Sequence, residues 1–173
     1  MNLLNQLQLP SPVQKFEFPD GVGADLNFFI KRDDLIHPHI SGNKWRKLKL
    51  NLLNAQAKKL DIVLTFGGAF SNHLAATAFA CQAQGLKSIG VVRGEEVNLS
   101  NPTMKFVREC GMEIFPISRE DYKLKTDEGF IQGLHEQFGA FYLVPEGGAN
   151  FYGVTGCQEI ITESPEDFEN IDL

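Results

Sequence analysis

Two short runs in this chain carry amines, hydroxyls and amides at spacings that suit chemistry on a carbonyl. Ser41-Gly-Asn-Lys-Trp-Arg-Lys47 sets Lys44 and Lys47 three residues apart, on one face of a helix's first turn. Two ammonium groups so close repel, each lowers the other's pKa, and burial lowers it further. A lysine with a depressed pKa attacks carbonyls and forms Schiff bases, which leaves the second lysine to hold a phosphate or carboxylate. Arg46, Lys47 and Lys49 would equally make an ordinary solvated basic face.

The second run, Thr65-Phe-Gly-Gly-Ala-Phe-Ser-Asn-His73, follows an apolar stretch and opens a helical one. Its glycines let backbone approach a ligand closely, and free N–H groups at a helix start favour an anion. Ser71, Asn72 and His73 can donate hydrogen bonds into the same hollow. The plainer reading is a tight strand–helix turn with Ser71 as N-cap. Gly67-Gly68 lacks the further glycine of a dinucleotide fingerprint. Pro145-Glu-Gly-Gly-Ala-Asn150 is the corresponding turn after the last strand, either lining the same crevice or serving as a routine βα loop. His37 and His39 flank Pro38 without a third metal ligand nearby, so no metal site is expected.

The elements that must position these residues follow from periodicity. Residues 1–25 read as irregular, with three prolines and an Asp20-Gly21 turn. Residues 27–31 read as a short strand. A helix is expected from Gly42 to about Lys59, with Trp45, Leu48, Leu52 and Ala55 on one stripe and Ser41 or Asn43 as cap. Strands then alternate with helices: 62–65, helix 71–84, 88–92, helix 101–110, 113–117, helix 126–137, 141–144, helix 152–162. Pro116 assigns the third of these strands to an edge or a strand end. The alternation predicts an α/β fold, a parallel sheet with helices on both faces. Such sheets bind ligands beyond the carboxyl ends of their strands, where both double-glycine turns fall. Ile171 and Leu173, in the acidic tail, resemble the start of another strand.

Composition narrows the classes. The net charge of −6 speaks against nucleic acid as a partner, because phosphate backbones want basic surfaces. No stretch approaches a membrane span, and the N-terminus lacks a signal-peptide pattern. Cys81, Cys110 and Cys157 are odd in number and widely spaced, which suits reduced thiols in a cytoplasmic protein.

Four motifs, in order and spacing, resemble one family: Lys31-Arg-Asp-Asp-Leu, Ser41-Gly-Asn-Lys-Trp-Arg-Lys, Gly67-Gly-Ala-Phe-Ser-Asn-His and Pro145-Glu-Gly-Gly-Ala-Asn. The family is the 1-aminocyclopropane-1-carboxylate deaminases and D-cysteine desulfhydrases, pyridoxal 5'-phosphate enzymes of the tryptophan-synthase-β-like fold (fold type II). The resemblance spans residues 9 to 162. It implies that Lys44 binds the cofactor aldehyde covalently, that Lys47 contacts the cofactor phosphate and that Asn72 bonds its 3′-oxygen. It implies Ser71 as the active-site serine, a nucleophile in the deaminases, with Ser71, Asn72 and His73 on the substrate. His73 stands where the deaminases usually carry Gln and would reach the substrate carboxylate.

That histidine leans the expectation toward desulfhydrase-like β-elimination from a small amino acid, giving a keto acid, ammonia and sulfide. One alternative is 1-aminocyclopropane-1-carboxylate deamination. Another is a truncated non-catalytic α/β module that binds no cofactor. The resemblance further implies a cytoplasmic homodimer at full length. It divides the chain into residues 1–48 as the first part of a large domain, 49–162 as the smaller domain and 163–173 as the return strand. The family's later portion, with its Gly/Thr-rich phosphate loop, has no counterpart after Asn150.

Overall fold

In a computed structural model, which describes residues 6–17 and 27–165, the alternating pattern becomes a four-stranded parallel sheet. Its strands are β3 (Ile62–Gly67), β4 (Lys87–Arg93), β5 (Glu113–Ile117) and β6 (Tyr142–Val144). A separate antiparallel ribbon pairs β1 (Val13–Phe16) with β2 (Phe28–Lys31). The helices are α1 (Lys44–Ala57), α2 (Asn72–Ala83), α3 (Pro102–Glu109), α4 (Arg119–Lys123), α5 (Glu128–Phe138), α6 (Phe151–Cys157) and α7 (Glu159–Thr162).

Strand order in the sheet is β5-β4-β3-β6. The chain steps outward from β3 to β5, then crosses back to lie on the other side of β3. The connections therefore diverge between β3 and β6, and open α/β sheets bind ligands at such a reversal. The two interior strands are buried along their lengths, as a parallel sheet covered on both faces requires. One face packs Val63 and Val144 against Leu48 and Leu52 of α1 and Ala76 and Ala80 of α2. It continues where Val92 meets Leu74 and Ala78 of α2 and Met104 and Val107 of α3. The other face packs Leu64, Phe66, Ile89 and Val91 against Tyr122 of α4 and Leu134 of α5. The expected fold class is the observed one, and Pro116 does lie on an edge strand.

Three local expectations change. The segment read as irregular contains β1, which has only four residues and exists as a strand through its pairing with β2. A short helix, α4, follows β5 and is capped by Ser118, whose Oγ accepts from the Asp121 N–H at 3.0 Å. The single helix expected over 152–162 is two, α6 and α7, meeting at Gln158. Gly153 and Gly156 lower helix propensity there. The Asp20-Gly21 turn and the strand suggested by Ile171 and Leu173 lie outside the described residues.

The guanidinium of Arg46 joins the termini to α1. Its side chain is fully buried. Nε donates to Asp33 Oδ2 at 2.7 Å, and Nη2 donates to Asp33 Oδ1 at 2.7 Å and Glu163 Oε1 at 2.8 Å. Ser11 Oγ, 3.1 Å from Nη2, bridges to Asp33 Oδ1 at 2.7 Å, and Lys31 pairs with Glu163 at 3.1 Å. Burial pushes the Glu163 carboxyl up, but hydrogen bonds from Arg46, Lys31 and the Ser11 N–H outweigh it and hold the pKa down at about 2.

Removing one member of a buried ionic cluster leaves the others unpaired, so Arg46→Met should cost roughly 3–5 kcal/mol in urea unfolding. Glu163 titrates lower folded than unfolded. Its contribution is thus complete above the ordinary carboxylate value of 4.5 and lost as pH falls toward about 2. Urea midpoints recorded down that range should fall less steeply in Glu163→Gln than in the parent.

Candidate functional site

The loops at the β3–β6 reversal are the two glycine turns, and α1 begins beside them. Asn43 precedes α1 with φ −67° and ψ 2°, outside the extended region that lets an N-cap side chain fold back. The expected caps are accordingly not made. Asn43 Oδ1 instead accepts from Lys44 Nζ at 3.0 Å, and Ser41 Oγ donates to the Asp34 carbonyl at 3.3 Å. Ser71 does cap α2, its Oγ accepting from the Leu74 N–H at 3.3 Å. A side chain at Gly67 would occupy the space of that hydroxyl.

Lys44 and Asn72 line one cleft of about 720 Å³. Ser41, Gly42 and Asn43 before α1, Pro102, Thr103 and Phe106 of α3, and His39 also line it. His37 and His39 are engaged in packing: the His39 N–H donates to His37 Nδ1 at 3.1 Å, and the His39 ring stacks on Phe106 with centroids 4.8 Å apart. Among the described residues, no three metal-ligating side chains gather. Burial, and then the charge of Lys47, lower the Lys44 pKa from its ordinary value. A lysine that sheds its proton more readily is more often the free amine, the form that attacks a carbonyl.

Lys47 and His73 meet at the other glycine turn. Gly148 has φ +71°, a backbone region that favours glycine, and a Cβ there would lie 3.0 Å from Lys47 Cβ and 3.7 Å from both Lys47 Cδ and His73 Cε1. The His73 ring is buried. Its Nε2 lies 2.9 Å from Thr65 Oγ1, which itself donates to the Val144 carbonyl at 2.8 Å. The threonine proton is thus committed, so Thr65 can only accept, and Nε2 must carry the imidazole proton. Burial first, then the charges of Lys44 and Lys47, push the His73 pKa down to about 4. The neutral ring presents Nδ1 as a buried acceptor with no hydrogen-bond partner among the described residues. Such an orphan costs about 1–3 kcal/mol. The expected contact from His73 to a substrate carboxylate therefore has no ring N–H to make it.

Tertiary pairing also enlists Asn51, which pattern reading passed over inside the apolar stripe of α1. Its Nδ2 donates to the Lys47 carbonyl at 2.7 Å, and its Oδ1 accepts from Asn150 Nδ2 at 2.7 Å and Tyr142 Oη at 3.2 Å. Asn150 Oδ1 in turn accepts from the Gly153 N–H at 2.9 Å. A polar residue at a position where the helix stripe calls for an apolar one is the signal that marks Asn51. A Cβ on Gly156 would run into the Arg46 carbonyl, and one on Gly153 into the Gly148 carbonyl. Helix α6 thus presses the 145–150 turn and the start of α1 together.

A donor set of one easily deprotonated amine, a second ammonium and an amide at the rim of a parallel sheet fits an anionic aldehyde. The class so defined is an α/β protein of the fold type II kind, and comparison with known proteins narrows it. A Thermotoga maritima protein that bears the name of a 1-aminocyclopropane-1-carboxylate deaminase is 37% identical over 159 residues, 89% of this chain and 49% of its own length. The mitochondrial bifunctional D-cysteine desulfhydrase/1-aminocyclopropane-1-carboxylate deaminase of Arabidopsis thaliana is 31% identical over 167 residues, 91% of this chain and 41% of its own. A solved structure of a 1-aminocyclopropane-1-carboxylate deaminase homologue matches with a TM-score of 0.76 at 29% identity, covering 97% of this chain and 50% of that one. O-ureido-L-serine synthase shares the fold, with a TM-score of 0.72 at 18% identity. No protein-family model matches. The chain is homologous to the 1-aminocyclopropane-1-carboxylate deaminase and D-cysteine desulfhydrase family, and it spans about half the length of the curated relatives it matches.

Overpacking at the α1–α6 contact should be costly where a solvent-facing helical glycine is not. Gly156→Ala is expected to lose roughly 1–3 kcal/mol in urea unfolding. Gly133→Ala in α5, with open space around its Cβ, should gain up to about 1 kcal/mol.

Proposed function

We propose that this chain carries the lysine half of the cofactor site of a pyridoxal-phosphate-dependent lyase acting on a small amino acid. The observation that carries the reading is the placement of Lys44 and Asn72 on one cleft, Asn72 opening the helix that follows β3, with the charge of Lys47 acting on Lys44. When bound, the cofactor supplies an electron sink for a carbanion at the substrate's α-carbon. Lys44 would hold its aldehyde, Lys47 its phosphate and Asn72 its 3′-oxygen.

The remaining steps belong to side chains. As a free amine, Lys44 Nζ would take the proton from the substrate's α-carbon, a task suited to an amine whose pKa is depressed. Ser71 Oγ accepts from Leu74 and still has its own O–H to donate toward the substrate. Sulfide would then leave from the β-carbon of a D-cysteine-like substrate. Ring opening of 1-aminocyclopropane-1-carboxylate, with Ser71 as nucleophile, is the second reading; the name of the Thermotoga maritima relative favours it, and the Arabidopsis thaliana relative is named for both activities.

Pyridoxal phosphate added to the purified chain should give absorbance near the visible edge, and borohydride should fix the label on Lys44. Lys44→Ala should abolish both. Protein that stays colourless and unlabelled would defeat the reading and leave a non-catalytic module. For a chain that loads, sulfide release from D-cysteine against ammonia release from 1-aminocyclopropane-1-carboxylate separates the two activities.

A further inference from the structure

We propose that His73 is a positioning residue for Lys47: its Nδ1 accepts a hydrogen bond from the Lys47 ammonium and fixes that cation as the anion anchor at the rim of the sheet. The anchor role of Lys47 rests on the reading above, whereas the contact itself does not.

The argument begins with an acceptor that needs a donor. His73 is 3% exposed, and Nδ1 has no partner among the described residues. Donors on α1 and α2 can be taken in turn; Trp45 Nε1 and Thr77 Oγ1 are themselves buried without partners among the described residues. The Leu74 N–H is given to Ser71 Oγ, and the Ala75 N–H to the Ser71 carbonyl. Lys44 Nζ gives one of its protons to Asn43 Oδ1, which holds that side chain on the cleft. No hydrogen bond or ion pair of Lys47 Nζ appears among the described residues. Its stem and the His73 ring share a wall: Lys47 Cδ and His73 Cε1 lie at the same 3.7 Å from the Cβ position of Gly148. Nδ1 is bonded to Cε1 and Nζ is two bonds beyond Cδ, so the acceptor and the ammonium belong to groups packed on the same glycine.

The completed chain runs in one direction: Lys47 to His73 Nδ1, His73 Nε2–H to Thr65 Oγ1, and Thr65 O–H to the Val144 carbonyl. Every proton has one place to go. An ammonium carries three N–H donors, so one spent on Nδ1 leaves two for an anion. The ring faces Lys44 and Lys47 of α1 and Glu146 of the 145–150 turn, and a neutral ring is the form that accepts from a cation.

Nitrogen-15 NMR on the full chain tests the contact without cofactor or turnover. The His73 signals should show one protonated nitrogen, Nε2, and one hydrogen-bonded acceptor, Nδ1, unchanged from about pH 6 to 8. Lys47→Met should move the Nδ1 signal to the unbonded position, and Lys44→Met should leave it in place. A proton on Nδ1, an Nδ1 signal indifferent to Lys47→Met, or one that moves only in Lys44→Met would overturn the proposal. Titration with inorganic phosphate reads the consequence. His73→Gln keeps a donor at the Nε2 position but loses the Nδ1 acceptor, and should weaken phosphate about tenfold, the equivalent of one charge-assisted hydrogen bond. His73→Asn places Oδ1 where Nδ1 stood and should restore most of that affinity. Equal weakening by Gln and Asn would overturn the positioning role. Phosphate affinity untouched by Lys47→Met, with the NMR contact intact, would overturn the anchor reading of Lys47 while upholding the contact.

Discussion

A guanidinium with no access to water, ringed by two carboxylates and a hydroxyl, is the constraint on which the rest depends. Arg46 lies between Lys44 and Lys47 on the first turns of α1, and its partners come from residues 11, 33 and 163. A buried cation must be paired and hydrogen-bonded, so the segments bearing Asp33 and Glu163 have little freedom to settle elsewhere. The direction of α1 is set by that requirement, and with it the directions of the two lysines. The backbone of the same residue receives Gly156 from α6. One residue therefore fixes its helix through both its charge and its carbonyl.

The basic corner is local in a chain that is acidic overall. Lys44 and Lys47 lower the pKa of His73, Lys47 lowers that of Lys44, and burial acts in the same direction on both groups. Cations gathered at the carboxyl rim of a parallel sheet leave the site short of negative charge, and an anion relieves that shortage. The fold gathers them by covalent economy, since two lysines one helical turn apart need only one helix start. The cost falls on the histidine, which stays neutral and uses its one N–H on the strand beneath.

Most of the framework was legible in the chain. Runs such as Ile62–Gly67 are apolar but for Thr65 because both faces are covered, and Gly111 and Gly139 end their helices where a positive φ is needed. Pro116, unable to donate, marked its strand as an edge. The β1 strand is decided by a partner distant in sequence, and local propensity carries no information about that. The split between α6 and α7 falls after two glycines, Gly153 and Gly156, that lower helix propensity. Asn51 looks like a flaw in an apolar stripe until Asn150 and Tyr142 arrive from the other end of the chain.

The sequence by itself determined which chemistry was available: an amine pair at helical spacing, a glycine turn leading into Ser71, Asn72 and His73, and an alternation that builds a parallel sheet. Residue type and periodicity are local properties, and the backbone's repeat converts them into faces and turns. Only the tertiary structure decided which atoms confront each other. It put Lys44 and Asn72 on one cleft, turned His73 inward onto Thr65 and set Lys47 against Gly148. The reason is that hydrogen-bond direction, burial and the sharing of protons are pairwise quantities. They take values only once strands β3 and β6 lie side by side.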